Sequence, residues 1–182
     1  MRRAAVTAPR LLVARWRTGA GPRGHRPRYR PPGEQAGGLL LMPGGVDTAL
    51  PGGVEQASLY RHLQGSLPGP GFLDGTAPIL VCGADVAPEA AAAWDAWCRD
   101  EHFPAVLALP GYAAGARFRV HRRLREGYGH DPEWLTLYQL AGEDALGLME
   151  DPSEAALAVR EEWRLHGEPL VASAHDGCFL PA

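Results

Sequence analysis

The chain of 182 residues contains no lysine and no asparagine, and its only isoleucine is Ile79. All 18 basic residues are therefore arginine. This bias is typical of a GC-rich genome and favours a bacterial source. The absence of asparagine excludes every mechanism that needs its side chain, among them the Cys-His-Asn nucleophile systems. With 46% hydrophobic and 21% charged residues, the composition is that of a soluble protein of one or two domains.

Cysteine is also scarce, because Cys82, Cys98 and Cys178 are the only three. Their odd number and wide spacing provide neither a disulfide framework nor a metal-binding clip, so we expect a reducing, cytoplasmic compartment. The apolar stretch near the N-terminus is interrupted by Arg10 and Arg15, which argues against a secretory signal peptide. No apolar run reaches the length of about 18 residues that a membrane-spanning helix needs, so no membrane association is expected.

The two parts of the chain differ in composition. Residues 1–76 hold 14 glycines and 9 prolines, with 10 arginines against 4 acidic residues (+6). This composition predicts a largely disordered low-complexity leader, with one short helix over residues 54–63. Nine arginines and no acid in residues 1–30 could also form an arm for a phosphate backbone, but a disordered tail or translated upstream codons is the favoured interpretation. Residues 77–182 carry 8 arginines against 17 acidic residues (−9) and form one domain.

The pattern of apolar residues in this domain predicts alternating strands and helices. Strands are expected at residues 79–85, 112–122, 134–140 and 170–174, with helices from Pro88 to a stop at Pro104 and at residues 143–150 and 153–166. The order β-α-β-β-α-β in about a hundred residues is the ferredoxin-like arrangement. The predicted fold class is therefore α+β with an antiparallel sheet.

The helix that ends before Pro104 carries the best single candidate for catalysis, His102. It follows Glu101 at a helix end, where an imidazole can accept or donate a proton and where the free carbonyl groups favour its charged form. The alternative is that His102 caps those carbonyls or pairs with an acid. Trp97 lies on the same helix, where it either contacts a substrate or packs in the core.

Two further groups of side chains could bind a substrate. Arg117, Arg119 and His121 alternate on one face of a strand, from which they could hold a carboxylate or an enolate, or face water instead. Tyr112 and Tyr138, with Trp134, could line an aromatic pocket, although aromatic residues in strands more often only pack.

No metal site or organic cofactor is predicted. The remaining histidines show no HxH or HxxxH spacing, and no GxGxxG, Walker A, GxSxG or HExxH motif occurs. Haem needs only one axial histidine, so spacing does not exclude it. The segment ARFRVHR lacks the glycines of an RNA-binding strand and the domain is acidic, so no nucleic acid is expected for it.

The segments DAWCRDEHFPAVLALPGYAAGARFRVHR and WLTLYQL resemble the dimeric α+β barrel superfamily, near the EthD-like group, over residues 79 to about 178. The specific part is a helix with Trp97, Glu101, His102 and Pro104, followed by Pro110-Gly111-Tyr112 and an Arg-aromatic-Arg strand. The resemblance implies a cytoplasmic homodimer whose two sheets face each other, with a cavity for a small organic molecule between sheet and helices. Cofactor-free monooxygenases, lactone isomerases, polyketide cyclases and haem-degrading enzymes belong to this superfamily.

Two functions fit these observations. The first is a cofactor-independent monooxygenase, isomerase or cyclase that performs proton transfer or oxygenation on a small organic substrate, acidic or aromatic, with His102 as acid or base. The alternative is a non-catalytic ligand-binding or structural homodimer. Replacing His102 with alanine would abolish turnover in the first case and reduce stability in the second.

Overall fold

The computed structural model describes residues 10–16, 29–30, 38–44, 50, 53–66, 77–127, 131–141 and 152–181. The described strands are β1 (Arg10–Trp16), β2 (Tyr29–Arg30), β3 (Gly38–Gly44), β4 (Gln56–Gly65), β5 (Ile79–Val86), β6 (Tyr112–Arg125), β7 (Trp134–Leu140) and β8 (Val171–Pro181). The helices are α1 (Ala91–Trp97), α2 (Phe103–Leu107) and α3 (Glu154–Glu162). A π-helical turn, Cys98–His102, joins α1 to α2, and a second one, Trp163–Gly167, follows α3 and leads into a 3-10 turn, Glu168–Leu170.

The strands form a closed antiparallel barrel in the order β1-β3-β2-β8-β5-β7-β6-β4. Side chains alternate between its inside and its outside because neighbouring residues of a strand point to opposite faces. The inside is filled by a buried apolar core drawn from six strands, which includes Leu11, Tyr60, Val81, Phe118 and Leu137. On the outside of β5 and β7, alternate residues pack against α1, α2 and α3.

Among the described residues, the two parts of the chain contribute four strands each, in the same spatial order. In the second part the order is β8-β5-β7-β6, which is fourth, first, third, second when the strands are numbered within that part. In the first part the order is β4-β1-β3-β2, which is also fourth, first, third, second. The pairs β4 with β6 and β2 with β8 join the two sets. One chain thus closes the barrel that the resemblance assigns to two facing subunits.

The predicted fold class, an α+β ferredoxin-like arrangement with an antiparallel sheet, is confirmed. Strand β7 has the predicted bounds, whereas β6 runs three residues further and β8 begins one residue later and extends to Pro181. Gly111 adopts φ 90° in the predicted turn before β6, a conformation that favours glycine. The helix predicted at residues 143–150 lies outside the described residues. No helix in the described part of the chain is both long and apolar enough to cross a bilayer.

The first 76 residues differ from the prediction of a largely disordered leader, because β1, β3 and β4 lie in the barrel. The short helix predicted for residues 54–63 is wrong, since Gln56–Gly65 is a strand. Residues 56–60 are buried on both faces, with Tyr60 inside the barrel and Leu59 in a cluster outside it. A segment buried on both faces lacks the alternation of apolar and polar residues that would reveal a strand. Averaging the composition over 76 residues also hid the short apolar segments between the glycines and prolines.

The predicted stop of the first helix at Pro104 is wrong as well. The chain passes through the π-helical turn Cys98–His102 and continues as α2, with Pro104 in the first turn of that helix. Proline is tolerated there because N–H groups in the first turn of a helix have no acceptor within the helix, so no hydrogen bond is lost. His102 therefore lies within a continuous helical segment instead of at a free helix end.

Candidate active site

A cavity lies between the outer face of β5 and β7 and the helices of the second part of the chain. Its empty space is about 490 Å³, part of it open to solvent, and the centres of water-sized molecules can occupy about 90 Å³. The volume of about 90 Å³ is roughly six to nine times the ~10–15 Å³ that one water molecule needs. The site suits a ligand with about one small ring. The described lining is Cys82, Gly83, Ala84, Trp94, Cys98, His102, Trp134, Thr136, Tyr138 and Trp163.

His102 is held in this lining by aromatic rings. Its imidazole stacks on Trp97 at 4.7 Å between centroids, and the Trp163 ring lies 5.4 Å away. Burial, with a smaller contribution from the Arg117 charge, lowers the pKa of His102 to about 4. The expectation that helix-end carbonyls favour the charged form is therefore wrong, because the imidazole lies among apolar rings. At pH 7 His102 is neutral.

The two nitrogens of this imidazole are not equivalent. Nδ1 is buried and has no hydrogen-bond partner among the described residues. Because Nδ1 is sealed, Nε2 is the nitrogen that a ligand in the cavity can reach.

The two π-helical turns meet at the cavity. The first places Cys98 and His102 in the lining and the second places Trp163 there. Such turns shift the side chains that follow them and are frequent at functional sites. Gly167, at the end of the second turn, lets the Trp97 ring approach so closely that an added Cβ would lie 2.7 Å from it. The Trp97 ring, on which His102 stacks, thus packs directly against Gly167.

Arg117 is not available to a ligand. Its side chain is 3% exposed, and its guanidinium donates to Asp95 Oδ1 at 2.9 Å and to Gln64 Oε1 at 3.0 Å. It thereby fastens α1 to β6. The Arg117 charge also lowers the pKa of Cys98, but burial outweighs it and raises that pKa to about 12. Cys98 is therefore a neutral buried thiol.

Arg119 and His121 lie away from the cavity lining. Arg119 donates to Glu133 Oε1 at 2.6 Å and covers the Trp134 ring at 4.6 Å from its centroid. Trp134 lines the cavity, so this cation–π contact holds one wall of the cavity from behind. His121 is exposed, and so is Glu101.

Of the two predicted tyrosines, Tyr138 lines the cavity and Tyr112 does not. Burial raises the pKa of Tyr138 well above its usual value, so its hydroxyl stays neutral. Tyr112 packs edge-on against the Tyr138 ring at 5.5 Å. The structure thus brings His102 and Tyr138 together, with Trp97 behind the imidazole.

Sequence reasoning missed Thr136, Cys82 and the clamp formed by Gln64 and Asp95. Thr136 and Tyr138 alternate on the outer face of β7, so the two-residue period of that strand was the available signal. Gln64 carried no signal, because it belongs to the part of the chain interpreted as disordered.

No protein-family model matches the sequence, and no curated protein sequence is similar to it. Solved structures do match its fold over nearly the whole chain. A major regulator of staphylococcal pathogenesis has a TM-score of 0.59 at 9% identity, covering 95% of this chain and 99% of its own. A protein named as a candidate monooxygenase, from Fusobacterium nucleatum, has a TM-score of 0.56 at 6% identity, covering 97% and 94%.

An anthrone oxidase-like protein has a TM-score of 0.53 at 12% identity, covering 96% of this chain and 92% of its own. All three cover both parts of the chain, so the match includes the first half of the barrel as well as the half with the cavity. These likenesses show the fold and leave the chemistry open, since fold and function separate easily. The chain has the fold of the dimeric α+β barrel superfamily, as its sequence resemblance implies.

Proposed function

We propose that the chain is a small-molecule enzyme of the oxygenase type, which removes a proton from a small aromatic substrate without an organic cofactor. The observation that carries this proposal is the neutral imidazole of His102 in the lining of an aromatic cavity. A neutral imidazole is in the protonation state that accepts a proton. The names of two structures with the same fold, a candidate monooxygenase and an anthrone oxidase-like protein, support the oxygenase type.

The lining favours a substrate that enters uncharged. Among the described lining residues there is no Asp, Glu or Arg, and Cys98, His102 and Tyr138 are all neutral at pH 7. A carboxylate buried there would lack a counter-charge, which is costly. The earlier expectation that Arg117 and Arg119 bind an acidic substrate is not part of this proposal, because Asp95 and Glu133 occupy them.

In this proposal His102 takes a proton from an activated C–H group, leaving an enolate. A pKa of about 4 makes the imidazole a weak base before reaction. The enolate that forms beside it stabilises the imidazolium, and the enclosed lining strengthens this attraction between opposite charges. Molecular oxygen is the co-reactant that accepts electrons from the enolate and forms a C–O bond.

The resulting peroxide anion takes the proton back from the imidazolium and becomes a hydroperoxide. The hydroperoxide then loses its remaining C–H proton together with hydroxide, as one water molecule, while the C=O bond forms. The balance is one CH₂ group and one O₂ giving one C=O group and one H₂O. His102 ends neutral and ready for the next substrate.

Oxygen consumption with a panel of single-ring aromatic ketones that carry an activated CH₂ group tests this function, with single-ring phenols as ligands that lack this group. We expect His102→Gln to reduce turnover by about 10²-fold or more, the usual contribution of an acid–base residue, while ligand binding persists. His166→Gln is the matched control, because His166 is exposed and its Nε2 lies 3.5 Å from the exposed carboxylate of Glu162. Equal turnover in the two variants would refute the role of His102.

The second candidate is a non-catalytic ligand-binding protein, which the same cavity would support. Saturable binding of such a ketone to the wild-type chain without oxygen consumption would favour it. The homodimer that the resemblance implies remains a prediction for either function. The buried thiol of Cys98 supports the cytoplasmic compartment proposed from the sequence.

A further inference from the structure

Gln64 connects the first part of the chain to the site. It lies on β4, opposite Arg117 of β6 in the register that joins the two halves of the barrel. Its Oε1 accepts from Arg117 at 3.0 Å, and its Nε2 donates to the backbone carbonyl of Arg99 at 2.9 Å. One amide therefore bridges the sheet and the helical segment above it.

The carbonyl that Gln64 binds belongs to the π-helical turn Cys98–His102. In such a turn a carbonyl accepts from the N–H five residues further along, as the Cys98 carbonyl does from Phe103. For the Arg99 carbonyl that residue is Pro104, which has no N–H, so this carbonyl needs another partner. Gln64 supplies one from outside the helix. Arg117 holds the preceding helix through Asp95, so the helical segment is fastened to the sheet both before the turn and within it.

We propose that Gln64 is a positioning residue, which holds the π-helical turn so that His102 and Cys98 face the cavity. The half of the barrel without this cavity thereby contributes to the site in the other half. An effect of Gln64 on turnover rests on the proposed function. An effect of Gln64 on the conformation of the π-helical turn does not depend on that function.

Gln64→Met and Gln64→Glu test the inference in the full chain. Methionine removes both hydrogen bonds, whereas glutamate keeps an acceptor for Arg117 and loses the donor to the Arg99 carbonyl. Asp100→Asn is the control, since Asp100 lies in the same turn but its exposed carboxylate pairs with the exposed Arg99 side chain. Such a surface pair contributes little.

The first measurement is the rate at which iodoacetamide alkylates Cys98 in the native protein, followed by peptide mass spectrometry. We expect both Gln64 variants to raise this rate about tenfold, which corresponds to about 1.4 kcal/mol, the scale of one hydrogen bond. The second is an NMR titration of His102, whose midpoint should move from its low value toward that of a free histidine in both variants. Asp100→Asn should change neither measurement.

Folded Gln64 variants with unchanged Cys98 alkylation and unchanged His102 titration would overturn the inference. So would failure of both variants to fold, because that would make Gln64 a residue of general stability. The proposed function fails separately, if His102→Gln retains full oxygen consumption. That result would leave the alkylation and titration measurements to decide the role of Gln64.

Discussion

The protonation of His102 links the stability of the protein to pH. The folded chain holds the pKa of His102 near 4, mainly through burial, whereas the unfolded chain has the ordinary value of about 6.5. Below pH 6.5 the unfolded state therefore takes up the proton first, so stability falls as the pH drops from about 6.5 toward 4. Above pH 6.5 this contribution is fully present. The difference of about 2.5 pH units corresponds to about 3 kcal/mol.

Urea unfolding at pH 7, 6, 5 and 4, followed by tryptophan fluorescence, measures this contribution. His102→Gln removes the titrating group but keeps every carboxylate, so the difference between wild type and variant isolates the imidazole. We expect the stability of the wild type to fall by about 3 kcal/mol more than that of the variant between pH 7 and pH 4. His166→Gln, at an exposed position, should follow the wild type. Parallel curves for wild type and His102→Gln would show that the imidazole is solvated and would refute the argument for a neutral base.

Three other outcomes are expected. Arg117→Met leaves Asp95 without its partner and should lower the free energy of unfolding by about 2–3 kcal/mol. This loss is smaller than for a fully buried pair because Asp95 is 36% exposed. A loss under ~0.5 kcal/mol in urea unfolding would contradict the role of Arg117 in holding α1 to β6. Gly167→Ala places a methyl group against Trp97 and should cost about 1–3 kcal/mol in the same assay, with a changed fluorescence spectrum. Calorimetric titration with a phenol that binds should give one ligand per chain, and one ligand per two chains would mean that the site needs a partner.

The second half of the chain was predictable because its elements carry their own periodicity. Ala116 and Phe118 face the core while Arg117 and Arg119 face outward, as the alternation in β6 predicts. What those arginines bind was not predictable, since Asp95 lies on a helix and Glu133 beyond a loop. Such pairs depend on tertiary packing, which a strand pattern does not describe.

The first half and the charge state of His102 were not predictable for different reasons. Strands β1 and β4 find partners far along the chain, and their apolar runs are short and separated by glycine and proline. The charge of His102 was inferred from the carbonyls of an exposed helix end, but the chain continues past Pro104. Burial among rings then outweighs the helix dipole.

The closure of the barrel by a single chain has a consequence for its assembly. Residues 66–78 join the two sets of four strands covalently. The effective concentration of one set for the other is therefore on the order of millimolar, whatever the concentration of the protein. The integrity of the barrel should therefore survive dilution that would separate two subunits of moderate affinity. A covalent pair is also released from the symmetry of a homodimer, because each sheet can accept substitutions that its counterpart need not share. The four described strands of the first half can change as support while the second half keeps the residues that line the cavity.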